Sequence, residues 1–340
     1  MTSVEPLVSI VVTNYNYELY VGRAVESALS QTYPRLEVVV VDDGSTDDSL
    51  STLQAFSDRV TLLRQHNQGM AASMNNGFDR SRGELVLFLD ADDFLHPDCV
   101  LGVVQAATPG CSKVHWRLRL VDADEARMGS NPAPAWRLAD GDVSAELCRT
   151  GGYSTVPTSG NCYARTALEQ VMPIPEEDFH KSGDSYLNLA VVFVGPVVAI
   201  ERELSSYRLH GNNHSASAFD TTWYEVRLSM ARAMDEWLPV LAARFGRGAK
   251  PGAVLGQPEF RFMSLLARSE AVPRERRAGR VLQGFATGLA AVRTRSIRPR
   301  RRVLLAMASP LLPLLPTRAV HHVRDVAYAG KALRAWRRLP

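Results

Sequence analysis

Leu7-Val-Ser-Ile-Val-Val12, then Leu19 to Gln31, then Leu36-Glu-Val-Val-Val-Val41 decide the fold. The two β-branched runs suit strands covered on both faces, as parallel strands are in an α/β sheet. Between them, apolar residues recur at Val21, Ala24, Val25, Ala28 and Leu29, one face of an amphipathic helix. Strand, helix and strand in that order form a βαβ unit, which predicts a parallel sheet.

The alternation continues outward. Ser45 or Asp47 is placed to cap a helix over Leu50 to Phe56, Val60 to Leu63 reads as a third strand, and Met70 to Ser81 as a third helix. Gly83 breaks that helix before the strand Leu85-Val-Leu-Phe-Leu89, which runs directly into Asp90-Ala-Asp-Asp93. Asp42-Asp43 follow the second strand in the same way. Carboxylates therefore stand at strand C-termini, the edge at which open α/β sheets bind ligands. Cys111 to Val156 mixes a predicted strand, Lys113 to Leu120, with the loop-like Asn131-Pro-Ala-Pro134 and reads as an insertion. From Trp223 the pattern turns helical, through Val226 to Phe245, Glu259 to Ser269 and Arg280 to Val292, and predicts a separate helical extension.

The chain has 340 residues, 46% hydrophobic and 22% charged, which suits a folded protein with a sizeable core and excludes a disordered one. Cys99, Cys111, Cys148 and Cys162 show no metal-site spacing and read as reduced thiols. The first apolar run is too short for a signal peptide and lacks a basic leader, so a cytoplasmic location is expected. Net charge is +3, but from Arg293 to the end twelve Lys or Arg stand against one Asp, which leaves the first 292 residues at −8.

Two groups of carboxylates at strand ends need a cation or a donor-rich ligand, because packing like charges together is otherwise unfavourable. Mg²⁺ or Mn²⁺, which bridge carboxylates to substrate phosphates, suit such a site. Alone, each motif also has an ordinary reading, Asp42-Asp43 as a turn that caps a helix and Asp90-x-Asp92-Asp93 as a solvated loop.

Six motifs in order resemble the family 2 glycosyltransferases with the GT-A fold. They are Val8-Ser-Ile-Val-Val-Thr-Asn-Tyr-Asn16, Ala28-Leu-Ser-Gln-Thr-Tyr-Pro34, Val41-Asp-Asp-Gly-Ser-Thr-Asp47, Asn67-Gln-Gly69, Gly83-Glu84 and Phe88-Leu-Asp-Ala-Asp-Asp93. The resemblance covers residues 7 to 98 strongly and 150 to 215 more loosely. It implies a Rossmann-like mixed α/β sheet flanked by helices over 1–218, with nucleotide-sugar binding in 1–110 and the acceptor side in 111–218. Residues 219–340 are expected to form a helical, basic C-terminal extension. The implied reaction is inverting transfer of a sugar from a nucleoside diphosphate, usually UDP or dTDP, to a saccharide or lipid-linked acceptor. By position, Thr13, Tyr15 and Asp43 would hold the nucleoside with Asp42 beside them, Asp92 would bind the metal, and Asp90 would contact the sugar or ribose.

Inversion by single displacement needs a carboxylate to take the acceptor hydroxyl's proton. Asp184, in Lys181-Ser-Gly-Asp-Ser-Tyr186, is similar in position to the family's base, with Glu176, Glu177 and Asp178 as weaker candidates; a helix N-terminal carboxylate is its structural alternative. Ser206-Tyr-Arg-Leu-His-Gly-Asn-Asn-His-Ser215 resembles the segment that closes over the diphosphate. It offers Arg208 for phosphate and His210, ranked above His214, as a metal ligand or phosphate donor. Two positions depart from the family pattern: Met74 stands where Arg often precedes the Asn, and Gly183 where Glu commonly precedes the base.

Val303 to Pro316 is apolar but short and interrupted by three prolines, so it is no transmembrane helix. With its basic flanks it fits either a peripheral contact at the inner, anionic face of the cell membrane or a helical cap with a solvated face. Nucleic-acid binding is not expected, since no recognised motif accompanies the charge. Two other functions remain open at this point, a sugar nucleotidyltransferase and a non-catalytic glycosyltransferase-like protein that recruits partners to the membrane. Thr13-Asn-Tyr-Asn16, where a nucleotidyltransferase needs a Gly-rich basic loop, argues against the first.

Overall fold

Strand β1 (Val8–Asn14) is buried along nearly its whole length because it has a strand on each side and a helix on each face. Val8, Ile10 and Val12 share a core with Val21, Ala24, Val25 and Ala28 of α1 (Val21–Leu29). Val11 points the other way, toward helix α3 (Met70–Arg80), which follows β2 (Leu36–Asp42), α2 (Ser49–Gln54) and β3 (Thr61–Arg64) in the chain. β4 (Leu85–Asp90) completes this half, and each element lies within two residues of its predicted bounds.

This computed structural model describes residues 5–210 and 221–257, together with 260, 261, 263, 264, 287 and 309. After β4 come β5 (Phe94–Leu95), α4 (Cys99–Ala106), β6 (Lys113–Val121), β7 (Arg127–Asn131), α5 (Ser144–Thr150), β8 (Asn161–Ala164), α6 (Arg165–Val171), α7 (Glu176–Phe179), α8 (Gly183–Ala190), β9 (Val197–Arg208) and α9 (Thr221–Arg244). The sheet order is β3-β2-β1-β4-β8-β6-β9-β5, with β7 on β6. β3, β2, β1 and β4 run parallel, as predicted. The second half is mixed: β8 is antiparallel to both β4 and β6, while β9 is parallel to β6. Register matters for the chemistry, because Thr13 pairs with Val41 on one side and Asp90 on the other, and Asn14 pairs with Asp42. One edge of the sheet thus collects the strand-end residues.

Residue contacts divide the chain into two units, one of Met1–Ala145, Ser154–Arg208 and Arg244–Gly246, the other of Glu146–Tyr153, Leu209–Ala243 and Arg247–Pro340. The sheet belongs to the first. In the second, α9 buries Leu228, Ala231, Leu238, Leu241 and Ala242. Asp235 Oδ1 accepts the amides of Val254 and Leu255, and Lys250 N–H donates to the Cys148 carbonyl at 2.9 Å. The expected boundary at 218, the basic stretch from Arg293 and the helix over 280–292 lie outside the described residues apart from single positions. Among the described residues, no helix is long and apolar enough to cross a membrane. All four cysteines are buried and none is in a disulfide.

Candidate active site

The turn after β4 is closed by the Asp93 amide, which donates to the Asp90 carbonyl at 3.0 Å. Asp90, Asp92 and Asp93 each offer a carboxylate oxygen, and these oxygens lie within 4.8 Å of one another. Asp92 and Asp93 are buried. Burial, reinforced by the charges of Asp92 and Asp184, holds the Asp90 carboxyl well above the usual carboxylate range, against a hydrogen bond from the Thr158 hydroxyl. Burial and the charges of Asp92 and Asp90 raise Asp93 in the same way. Three acids crowded like this cannot all ionise without a counter-charge. Oδ2 of Asp93 is buried with no hydrogen-bond partner among the described residues. An all-oxygen donor set with a free buried acceptor fits a hard divalent cation such as Mg²⁺ or Mn²⁺.

At the neighbouring strand end, Asp42 is fully buried and its Oδ1 accepts from Asn14 Nδ2 at 2.8 Å and from the Ser45 hydroxyl at 2.6 Å. Asp42 therefore ties β1 to the turn after β2. Asp43 accepts the amides of Gln68 and Gly69, each at 2.8 Å, and the Gln65 side chain at 2.7 Å. Those amides lead into α3, so Asp43 satisfies donors that a helix N-terminus leaves open. Gly69 sits at φ +90, and a Cβ there would lie 2.6 Å from the His180 carbonyl, so glycine is required for this approach. Both carboxylates thus hold the walls of the edge. Thr13 is half-buried and Tyr15 is exposed, which leaves these two facing outward beside them.

Asp184 lies in the first turn of α8, half-buried, close enough to Asp90 for its charge to raise that carboxyl. The structure thereby brings together residues from α8 and from the end of β4. α8 is placed by α3: Asn75 donates to the Ile174 carbonyl at 3.0 Å and accepts its amide at 2.8 Å. Glu176, Glu177 and Asp178, the weaker base candidates, are exposed on the short α7.

Arg208, at the end of β9, is 3% exposed and lies behind the acidic turn. Its amide donates to Asp93 Oδ1 at 2.9 Å, Nε to the Asp92 carbonyl at 3.0 Å, Nη1 to the Ala123 carbonyl at 2.9 Å and Nη2 to Glu125 at 3.0 Å. The guanidinium also stacks over Tyr20 and Phe94. In this arrangement it fixes the turn, and a phosphate contact would require it to leave these partners. His210, two residues on, is half-buried and is not among the three clustered carboxylates. His214 lies outside the described residues.

Sequence reasoning missed three contributors. Tyr17 stands beside the acids: burial, then the charges of Asp92 and Asp90, push its phenol upward, so it remains a neutral O–H donor. Its signal is the Asn-Tyr-Asn-Tyr repeat of 14–17, in which Tyr17 stands two residues beyond Tyr15. Thr158 and Ser159 arrive on a one-turn helix before β8, with Ser159 Oγ accepting the Asp90 amide at 3.2 Å. Nothing in their local pattern pointed to the acids.

Residues 9–171 match the family described as glycosyl transferase family 2. An uncharacterized glycosyltransferase of Nostoc sp. is 32% identical over 251 residues, which cover 72% of this chain and 78% of that protein. Chondroitin synthase of Escherichia coli is 48% identical over 98 residues, 28% of this chain but only 14% of that enzyme's length. Two solved structures share the fold at 17% identity. S. aureus TarS 1-349 in complex with UDP-GlcNAc has a TM-score of 0.52 over 97% of this chain and 92% of its own. The mannosyltransferase PcManGT of Pyrobaculum calidifontis, in complex with GDP-Man and Mn²⁺, has a TM-score of 0.56 over 99% and 89%. With a family match over residues 9–171, the span that holds the strand-end carboxylates described above, and a likeness that runs through most of the Nostoc protein, the chain belongs to the family 2 glycosyltransferases and carries their GT-A fold.

Proposed function

We propose that this glycosyltransferase moves a sugar, with inversion, from a nucleoside diphosphate sugar of the UDP or dTDP type to a hydroxyl of a saccharide or lipid-linked acceptor, in the assembly of cell-surface polysaccharide or glycolipid. The observation that carries this reading is the cluster of Asp90, Asp92 and Asp93 at the end of β4, whose carboxylate oxygens lie within 4.8 Å of one another, with the half-buried Asp184 near enough for its charge to act on Asp90. The complexes of TarS with UDP-GlcNAc and of PcManGT with GDP-Man and Mn²⁺, and the chondroitin synthase match, support it.

In this reading Asp184 takes the proton from the acceptor hydroxyl as its oxygen bonds to the anomeric carbon. The bond from that carbon to the diphosphate breaks, and the diphosphate departs with the electron pair. Asp92, with Asp90 and Asp93, would hold a divalent cation, which when bound neutralises charge on the leaving diphosphate. Asp90 also faces the sugar or ribose, and Tyr17 offers its hydroxyl to the same region. Thr13 and Tyr15 contact the nucleoside, while Asp42 and Asp43 shape its pocket. Arg208 acts from behind the turn, and His210 is kept as a further ligand. The basic stretch from Arg293 is assigned a peripheral contact with an anionic membrane.

The test is calorimetry with UDP-, dTDP- and GDP-sugars, with and without Mn²⁺, on the wild type and Asp92→Ala. Metal-dependent binding of one donor that disappears in the variant is expected. Binding of no donor, or equal binding by the variant, overturns the assignment.

A further inference from the structure

We propose that Glu125, in the hairpin loop between β6 and β7, is a positioning residue for the acidic turn after β4: its carboxylate holds the Arg208 guanidinium in place behind Asp92 and Asp93. This rests on the reading of Asp90, Asp92 and Asp93 as a cation site.

The backbone of the hairpin gives the first sign. The Asp122 amide donates to the Ala126 carbonyl at 3.1 Å and the Glu125 amide to the Asp122 carbonyl at 3.1 Å, which closes a three-residue loop of Ala123, Asp124 and Glu125. In such a loop the last residue takes the left-handed conformation and is ordinarily glycine. Here it is Glu125, at φ +63. Left-handed backbone strains a residue with a long side chain, and such strain persists where the surroundings over-determine it. The loop has its own support, since Asp122 Oδ1 accepts the amides of Asp124 at 3.1 Å and Ala126 at 2.9 Å. None of these bonds uses the Glu125 side chain, so closing the loop does not account for a glutamate at this position.

Its side-chain contacts do. Glu125 Oε1 accepts from Arg208 Nη2 at 3.0 Å and from Arg23 Nε at 3.2 Å. Arg23 comes from α1, and its guanidinium lies 4.4 Å from the centroid of the Phe94 ring, against which Arg208 also packs at 5.3 Å. Two like charges on one ring repel unless an opposite charge joins them, and the oxygen bonded to both does so. The Arg23 side chain is 41% exposed and that of Arg208 only 4%, so Glu125 ties the inner arginine to one at the surface. The Ala123 carbonyl of the same loop accepts from Arg208 Nη1 at 2.9 Å, and the hairpin thus grips the guanidinium with two groups. Nε and the backbone amide of Arg208 grip the acidic turn through the Asp92 carbonyl and Asp93 Oδ1. Arg208 is the rivet between hairpin and turn, and Glu125 supplies a charged bond on the hairpin side. Groups that orient metal-binding residues from behind in this way tune the affinity for the metal.

The experiment is calorimetry of the full chain with Mn²⁺ alone, comparing the wild type with Glu125→Asn. Asparagine accepts the left-handed backbone but is uncharged and one methylene shorter, so the loop survives while the grip on Arg208 is lost. Mn²⁺ binding about tenfold to a hundredfold weaker is expected. Unchanged affinity overturns the proposal, since a glutamate that only stabilised the hairpin would alter Tm and leave Mn²⁺ binding alone. Glu125→Gly, which removes the side chain and suits the same backbone, is read in the same way. The double variant Glu125→Asn, Arg208→Lys is expected to bind Mn²⁺ no more weakly than Arg208→Lys does. A further loss as large as that in the wild-type background would mean that Glu125 does not act through Arg208, and overturns the proposal. If the wild type takes up no Mn²⁺, the reading of the three acids as a cation site fails by itself. Exchange of the Arg208 Nε–H, followed by nitrogen-15 NMR in EDTA and identified with Arg208→Lys, then decides whether Glu125 holds Arg208. A rate about tenfold or more faster in Glu125→Asn supports the hold, and an equal rate overturns it.

Discussion

A Cβ placed on Gly183 would lie 2.7 Å from the Sδ of Met74. These are the two positions at which the chain departs from the motif pattern its sequence otherwise follows, and they meet in space. Ala71 Cα and Ile174 Cδ1 close the same contact at 3.4 and 3.3 Å. A charged side chain at 74 or 183 would have no room here, so the two departures are one packing solution.

Gly183→Ala should therefore destabilise the fold by about 1–3 kcal/mol through overpacking, and Met74→Ala should recover much of that loss in the double variant. Chemical denaturation of the two single variants and the double gives the coupling directly. Strictly additive effects would contradict the contact.

Asn75 links α3 to the segment ahead of α8, with its side chain both donating to and accepting from Ile174 and donating to Glu176 Oε1 at 3.0 Å. Asn75→Ala leaves a buried amide and carbonyl unmatched and should cost about 2 kcal/mol. Because that segment leads to Asp184, kcat should fall more than donor affinity does. A loss confined to donor affinity would place Asn75 at the diphosphate instead.

The elements up to β4 were legible because each carries its own period: β-branched runs for β1, β2 and β4, and a 3.6-residue apolar stripe for α1. β8 was not, since it has only four residues, Asn161–Ala164, and owes its place to pairing with β4 and β6. Leu187 to Val192 read equally as helix or strand, and tertiary contacts settle it as the end of α8 and a following one-turn helix. Among site residues, the acids announced themselves by standing at strand ends. Thr158 gave no signal, because a loop hydroxyl acquires its meaning only from what folds against it.

Acidity gives a signed prediction. Asp90 and Asp93 bind protons more tightly folded than unfolded, so the folded state holds more protons above the ordinary Asp range, and stability falls as pH rises through that window. His115 acts at lower pH in the opposite sense: burial and the Lys113 charge take it down to about 3, so its contribution is lost as pH falls below the usual histidine range. A bound cation relieves only the aspartates. The rise in Tm on adding Mn²⁺ should therefore be larger at roughly pH 8 than at roughly pH 5. An equal rise at both would argue that the acids are not its ligands.

Arg208→Lys keeps the charge but loses the fork that reaches the Asp92 carbonyl, Ala123 and Glu125. It should lower stability by about 1–3 kcal/mol and weaken Mn²⁺ binding, since the turn relaxes. Calorimetry with Mn²⁺ alone, in the absence of any donor, separates this from a phosphate contact. Unchanged metal affinity with weakened donor binding would return Arg208 to the phosphate.

The most direct test of the account is Asp184→Asn, with donor binding followed by calorimetry and turnover by release of nucleoside diphosphate in the presence of acceptor. Donor affinity close to wild type is expected, with turnover lower by about a hundredfold to ten-thousandfold. Turnover near the wild-type rate would contradict it and move the base to Glu177 or Asp178.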